Sequence, residues 1–357
     1  MKIIVLPGDG IGPEIMDATV TALQAADEAF GLGLTLETHR LGLDAIAQDG
    51  SALPDAVLDA CRNADGTIMG PVDTYAYPPV EEGGVNPSGK MRKSLDLYAN
   101  IRPSRTFAGV PSCAEKMDMV VVRENTEGFY ADRNMFMGSG EFMPTEDLAL
   151  SVRKITRAGC NRIAVQAFEQ AERRRKKVTA VHKANVLKIS DGLFLEEVNK
   201  VAKEHPSVEL EELIIDAATA HLVRRPEDFD VLVTTNMYGD ILSDLAAELS
   251  GGIGLGGSIN ANDDVAIAQA AHGAAPDIAG QGTANPTALM VSVGMLLDWL
   301  GSKNSHNDLI AAGAAMRDAV TNVLEQGIAR TPDLGGSAST ADIGRAVAER
   351  ITAISKE

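Results

Sequence analysis

The residues of this sequence that could do chemistry are carboxylates, arginines and two proton carriers. Asp240 and Asp244, in Tyr238-Gly239-Asp240-Ile241-Leu242-Ser243-Asp244, follow directly on the apolar run that ends in Thr234, Thr235 and Asn236. On a helix, a spacing of four puts both side chains on one face, about 6 Å apart along the axis. Two acids at the C-terminal end of a strand suit a hard cation such as Mg²⁺ or Mn²⁺, which takes oxygen ligands and keeps places for substrate and water. The plainer alternative is a helix-start residue and a solvated charge. Asp216, after Leu213-Ile214-Ile215, is a third strand-end acid and weak evidence by itself. Arg92 and Arg102 flank Ser94–Ile101, and Arg123 follows Met119–Val122. Guanidinium forks match carboxylates bidentately, so three converging arginines would hold a substrate with two carboxylates. Tyr130 and Lys183 are candidate proton carriers, Lys183 lying next to Asn185. An unperturbed phenol or ammonium titrates well above pH 7, so each needs burial or cationic neighbours.

These residues need a scaffold, and the chain supplies an α/β one. Short apolar runs alternate with helical patterns, the signature of a parallel sheet. Strands are predicted at Lys2–Leu6, Leu34–Thr38, Thr67–Met69, Met119–Val122, Arg162–Val165, Val178–Val181, Glu212–Ile215 and Val231–Thr234. Helices are predicted at Glu14–Ala29, Thr287–Leu300, Ser305–Leu324 and Thr340–Ile354. At 357 residues the chain exceeds one core of roughly 100 to 200 residues, so two units are expected. No linker separates them, and composition draws no boundary.

Composition narrows the partners. Lys and Arg total 32 against 50 for Asp and Glu, a net charge of −18 that repels nucleic-acid phosphates and anionic lipid. Aromatics are 4% of the chain, too few for base-stacking platforms. No apolar run approaches the roughly 20 residues that cross a bilayer. The opening MKIIVLPGDG has only four apolar residues before a turn, so no leader and a cytoplasmic location are expected. Cys61, Cys113 and Cys160 are far apart and odd in number, which points to reduced thiols.

Pro7-Gly8-Asp9-Gly10-Ile11-Gly12-Pro13-Glu14 occupies the place of a dinucleotide fingerprint but fails it. Its glycines are spaced G-x-G-x-G rather than G-x-G-x-x-G, and no acid closes a second strand at the ribose position. A tight strand-to-helix turn explains it without a ligand. The segment 131–147 carries Met135, Phe136, Met137 and Phe142 around a Gly-Ser-Gly turn, and it reads as a surface loop or as an arm that pairs with a partner chain. Arg173-Arg174-Arg175-Lys176-Lys177 reads as a helix-end cap or a subunit contact.

Six ordered segments together resemble the β-decarboxylating dehydrogenases, the isocitrate/isopropylmalate dehydrogenase family. They are LPGDGIGPE (6–14), RKSLDLYANIRP (92–103), VVRENTEGFY (121–130), HKANVLKISDGLF (182–194), NMYGDILSDLAAEL (236–249) and HGAAPDIAGQGTANP (272–286). The resemblance implies an isopropylmalate dehydrogenase-like two-domain fold with parallel-rich sheets and no Rossmann fingerprint. Residues 1–99 plus 251–357 would form the cofactor-side domain. Residues 100–250 would form the dimerisation and metal-site domain, with its arm at about 131–147. It further implies that Asp240 and Asp244 hold Mg²⁺ or Mn²⁺ with Asp216 of a second subunit. Arg92, Arg102 and Arg123 would bind the malate carboxylates, Asn185 would also bind substrate, Tyr130 would protonate C3, and Lys183 from the partner chain would act as base. The working form would be a homodimer with shared sites, or a tetramer built from it. The reaction implied is oxidation of a 2-hydroxy acid at C2 with loss of CO₂.

In this family the dinucleotide sits against the loop 272–286, which makes His272, Gly273, Ala275, Pro276, Asp277, Ile278 and Asn285 cofactor-binding candidates. NADP-dependent isocitrate dehydrogenases carry a basic and an aromatic residue at the positions of Asp277 and Ile278. A carboxylate there accepts hydrogen bonds from ribose hydroxyls and repels a 2′-phosphate, favouring NAD. The resemblance further implies that the C3 substituent would be read before Arg92, by Asn86-Pro87-Ser88-Gly89-Lys90-Met91. Isopropylmalate enzymes place leucines at the positions of Ser88 and Gly89, and homoisocitrate enzymes place an arginine at that of Gly89. Isocitrate enzymes use Ser and Asn at the positions of Asn86 and Ser88, so the polar pair here is in swapped order. An isopropyl group would leave Asn86 and Ser88 unpaired, at about 1–3 kcal/mol per buried group. An isocitrate- or homoisocitrate-like di- or tricarboxylate is therefore expected, with 3-isopropylmalate and tartrate/D-malate as alternatives. From another class, a non-catalytic regulatory subunit of a heteromeric isocitrate dehydrogenase is weakened by the presence of Tyr130, Lys183, Asp216, Asp240 and Asp244.

Overall fold

A computed structural model describes residues 1–130 and 140–356. Its strands are β1 (Lys2–Leu6), β2 (Thr35–Thr38), β3 (Gly66–Met69), β4 (Ala99–Arg105), β5 (Asp118–Glu124), β6 (Glu141–Thr145), β7 (Leu148–Ser151), β8 (Lys177–His182), β9 (Glu209–Ile214), β10 (Val231–Thr234), β11 (Ile259–Ala261) and β12 (Ala266–Gln269). Its helices are α1 (Gly12–Phe30), α2 (Leu43–Asp49), α3 (Asp55–Asn63), α4 (Pro87–Ser94), α5 (Arg157–Glu172), α6 (Ser190–Glu204), α7 (Ile215–Arg224), α8 (Asn236–Ser250), α9 (Thr287–Asn304), α10 (Asn307–Glu325) and α11 (Thr340–Ile354).

Among the described residues ten strands form one sheet in the order β2-β1-β3-β12-β11-β4-β5-β10-β8-β9. The outer strands pair in parallel on both sides, while β11 pairs antiparallel with β12 and β4, and β4 with β5. This is the expected parallel-rich α/β sheet. Two parallel blocks are thus joined through an antiparallel seam.

Strand residues alternate between faces, and that alternation creates the site. On β1, Ile3 and Val5 enter a long apolar core covered by α1, α5, α9, α10 and α11, while Ile4 and Leu6 enter a smaller cluster with α3 and α4. On β10, Val231 and Val233 join the long core, and Leu232 joins a third cluster with Leu222 of α7 and Leu242 of α8. The long core runs along one face without a break. The other face carries two separate apolar patches, and between them β4, β11 and the residue before β11 turn up Asn100, Arg102, Ser104, Ser258 and Asn260, all buried and polar. A cleft opens there because the sheet has nothing apolar to cover.

Several expectations change. Arg162–Val165 is helical, the middle of α5, because Cys160, Ile163, Ala164, Ala167, Phe168 and Ala171 recur at helical spacing and bury one stripe. The Thr156 hydroxyl caps this helix by accepting from Gly159 N at 3.1 Å. Strand β9 ends at Ile214, so Asp216 sits in the first turn of α7. The basic cluster after α5 ties that helix to strand ends. Arg174 pairs with Asp118 and the buried Asp230, both at 2.8 Å, and Arg175 donates to Asp118 O and Phe229 O. In the described part of segment 131–147, the two-stranded β6–β7 sheet turns at Glu146-Asp147, and Gly138 and Ser139 lie outside the described residues. Phe142, Met143, Leu148 and Leu150 are exposed there, and Met135, Phe136 and Met137 lie outside the described residues. Among the described residues no helix is long and apolar enough to cross a membrane.

Candidate active site

The cleft residues are positioned by strand ends. Arg123, 1% exposed at the end of β5, donates through Nε to Asn236 O at 2.9 Å and through Nη2 to Asn236 Oδ1 at 2.7 Å. Asn236 opens α8 after β10 and donates to Glu127 O at 3.0 Å. Its carboxamide therefore locks the guanidinium to the helix that carries both acids. Gly239 makes room for this: a Cβ there would lie 2.5 Å from Arg123 Cγ. Nη1 of Arg123 is then hydrogen-bonded to Asp240 Oδ1. The Tyr130 hydroxyl donates to Asp240 Oδ2 at 3.1 Å, and Arg123 lies 5.9 Å from the Tyr130 ring centroid.

One strand over, Arg102 donates through Nε to Asn100 Oδ1 at 2.7 Å and through Nη1 to Ser243 Oγ at 2.8 Å and Asp244 Oδ1 at 2.9 Å. Asn100 in turn donates to Ser258 Oγ at 2.8 Å and Asn260 Oδ1 at 3.1 Å, so the polar face of the seam is one bonded network. Burial opposes ionisation of both acids, with different results. For Asp240, Arg123, Arg102 and the Tyr130 hydrogen bond prevail and hold the carboxyl below its ordinary value. For Asp244, burial prevails over Arg102, and neighbouring Asp240 adds to it, so the carboxyl is raised.

Arg92 and Ser88 on α4, Arg102, Ser258, Gln269 and the segment Ala270–Gly273 line one cavity of about 190 Å³. His272 is held there with Nδ1 3.0 Å from Gly273 O. Its buried Nε2 has no hydrogen-bond partner among the described residues, and burial holds its pKa below the ordinary imidazole value. Ser88 Oγ accepts from Gln269 Nε2 at 3.1 Å. A hydroxyl that accepts there retains its own proton for donation. Asn86 acts locally, as the N-cap of α4, with its Oδ1 accepting from Gly89 N at 3.0 Å.

The other candidates lie elsewhere. Lys183 follows β8 and its ammonium is hydrogen-bonded to Asp216, whose pKa that bond lowers. Buried Asp191 fixes this segment by accepting from Lys183 N at 2.6 Å and pairing with Arg153. Asn185 is exposed in the next turn. Among the described residues no three His, Cys, Asp or Glu side chains are grouped to hold a metal, so Asp216 does not join Asp240 and Asp244 within one chain. The donor chemistry of that pair still fits a hard cation: two carboxylates one helical turn apart, both already facing positive charge.

The loop 272–286 presents Ala275, Pro276, Asp277 and Ile278 to solvent, with Ala275 in the left-handed region at φ 39°. Asn285 is buried at its far end, donating to Asp333 at 2.9 Å and accepting from Thr287. Asn100, Asn236, Ser243, Ser258 and Gln269 carry no charge and no motif grammar. Their importance comes from strands distant in sequence, and Asn100, Asn236 and Ser243, which fall inside ordered motif segments, offered a signal only through that placement.

The profile of the isocitrate/isopropylmalate dehydrogenase family matches residues 2–347. The chain is 40% identical to the 3-isopropylmalate dehydrogenase of Archaeoglobus fulgidus, over 97% of this chain and 98% of that protein. It is also 40% identical to the isocitrate/homoisocitrate dehydrogenase of Thermus thermophilus, over 99% of each. The crystal structure of isocitrate dehydrogenase from Methylococcus capsulatus superposes with a TM-score of 0.85 at 42% identity, covering 98% of this chain and 99% of that one. With the polar seam, the paired arginines and the helix-borne acids in place, the chain belongs to the isocitrate/isopropylmalate dehydrogenase family, enzymes that oxidatively decarboxylate small carboxylates.

Proposed function

We propose that this enzyme is an NAD- and divalent-metal-dependent oxidative decarboxylase of a 3-substituted malate with a polar, isocitrate- or homoisocitrate-like substituent. The observation that carries the reading is the cavity shared by Arg92, Arg102, Ser88, Gln269 and His272. Its arginines suit carboxylates. Ser88, already accepting from Gln269, directs its proton to an acceptor on the substituent, which a carboxylate provides and an isopropyl group lacks.

Arg92, Arg102 and Arg123 bind and orient the carboxylates, while Asp240 and Asp244 would hold Mg²⁺ or Mn²⁺. A cation held there would supply Lewis-acid polarisation of the C2 oxygen, and a bound nicotinamide would supply the hydride acceptor. Lys183 of the partner subunit, beside the partner's Asp216, takes the hydroxyl proton. The carboxylate on C3 leaves as CO₂ with its bonding electrons left on C3, and Tyr130 supplies the proton there. We take the block β2-β1-β3-β12-β11 with α1 and α9–α11 as the cofactor-side unit, and residues 100–250 as the unit that dimerises through the arm. Both sites of the homodimer are then shared, and the free thiols fit a reducing cytoplasm.

The test is NADH formation from isocitrate, homoisocitrate, 3-isopropylmalate, D-malate and tartrate, with and without EDTA. Turnover of a tricarboxylate that stops on chelation is the expected result. Preference for isopropylmalate overturns the substrate assignment, turnover that survives chelation overturns the metal, and no turnover favours a regulatory subunit. Asp277→Lys with Ile278→Tyr should shift preference toward NADP; an unchanged preference removes NAD selection from this loop.

A further inference from the structure

The turn Pro7–Glu14, which fails as a phosphate cradle, makes a different set of contacts. Buried Asp9 accepts from Leu43 N at 2.7 Å, from Asp73 N at 2.9 Å and from the Tyr77 hydroxyl, while Asp9 N donates to Pro71 O at 2.8 Å. The segment that follows β3, whose Pro71 and Val72 line the same cavity as Ser88, Arg92 and Arg102, is therefore moored to this turn on the substrate side. On the other flank, Ile11 N donates to Ala274 O at 2.9 Å, and Glu14 accepts from Gly282 N at 3.1 Å and Ala284 N at 3.3 Å. The loop 272–286 is thus held at both ends, at Ala274 and at Gly282–Ala284, and Asp277 and Ile278 project between the two moorings. The approach is close: a Cβ on Gly10 would lie 2.0 Å from Ala274 O, and one on Gly8 2.2 Å from Pro71 O.

We infer that the Pro7–Glu14 turn is a bracket that sets the substrate-side and dinucleotide-side loops in one register, with Asp9 and Glu14 as positioning residues. Glu14 serves the second mooring because the amides of Gly282 and Ala284 lie in a loop segment outside any strand ladder, where a carboxylate can order them. Asp9 plays the same part for the segment of Asp73 and Tyr77, with three donors from two segments converging on one carboxylate. The inference rests on the reading of 272–286 as the dinucleotide loop.

The test compares Glu14→Ala and Glu14→Gln with the parent enzyme by amide hydrogen exchange and by NADH binding. In Glu14→Ala the peptide spanning 279–285 should exchange faster, and the Kd for NADH should rise about tenfold, a loss of about 1.4 kcal/mol. The KM of the malate should stay within about twofold. Glu14→Gln, which keeps a single acceptor oxygen for the two amides, should fall between. Asp9→Asn should instead loosen exchange over 71–77 and raise the malate KM first. Unchanged exchange at 279–285 overturns the bracket outright. Faster exchange with unchanged NADH affinity overturns it too, and if Asp277→Lys is equally silent the fault lies with the dinucleotide reading. A uniform fall in thermal stability with both affinities altered alike reduces Glu14 to a structural residue and overturns the assignment.

Discussion

At the scale of single residues, burial decides which groups react. Cys160 sits in the long core at 3% exposure, and desolvation, helped by Glu127, Glu124 and Glu197, pushes its thiol up to about 12. Burial also raises Cys61, whereas Cys113 is exposed. A thiol reagent at pH 8 should titrate one cysteine in the native protein and three after denaturation. A raised folded-state value means that the unfolded thiol ionises first as pH climbs past 9. The associated stability is complete below that point and is lost at up to about 1.4 kcal/mol per pH unit until the folded value is reached. Cys160→Ala should therefore be less stable at pH 7 yet show a flatter decline of its urea midpoint between pH 9 and 10. The charged residues of the site were legible from sequence because arginine and aspartate at strand ends announce their chemistry. Asn100 and Asn236 were not, since an amide acquires its meaning from partners more than a hundred positions away, as the Arg123 contacts of Asn236 show.

At the scale of elements, a helix can be both a fold device and a substrate device. Helix α4 begins at an Asn86 cap and carries Ser88 and Arg92 into the cavity. Asn86→Ala should lower stability by about 1 kcal/mol and raise the substrate KM, while Asn86→Asp should restore both, as read by urea unfolding and steady-state kinetics. Helix α8 offers a sharper separation. Gly239→Ala adds helix propensity but drives a methyl group against Arg123, so activity should fall by more than tenfold with the helix content by circular dichroism unchanged. Most strands, and helices α1, α9, α10 and α11, were readable from apolar periodicity. Helix α5 was misread in part because Ile163-Ala164-Val165 is a short apolar run, which a four-residue window cannot assign. The deciding stripe continues to Phe168 and Ala171, and the start signal lies at Thr156. Strands β11 and β12 are three and four residues long, too brief to show a period.

At the scale of the whole molecule, two features reach beyond the cleft. The β6–β7 hairpin exposes Phe142, 50%, and Leu150, 43%, as a cross-strand pair with no cover among the described residues. Substituting both with glutamate should shift sedimentation toward the monomer and abolish turnover together; a dimer that survives with full activity removes the arm from the assembly. The second feature is the seam. Strand β12 lies parallel to β3, with Ile267 opposite Thr67, and β11 bridges onward to β4. As the polypeptide leaves the ribosome, the edge of β3 waits for a strand made two hundred codons later, since 267 minus 67 is 200. Until then β3 and β4 lack the neighbours that fill the space between them, and a pairing of such sequence separation is of the kind that forms slowly. The last-translated third of the gene is what closes the molecule, and the same closure builds the floor on which its chemistry takes place.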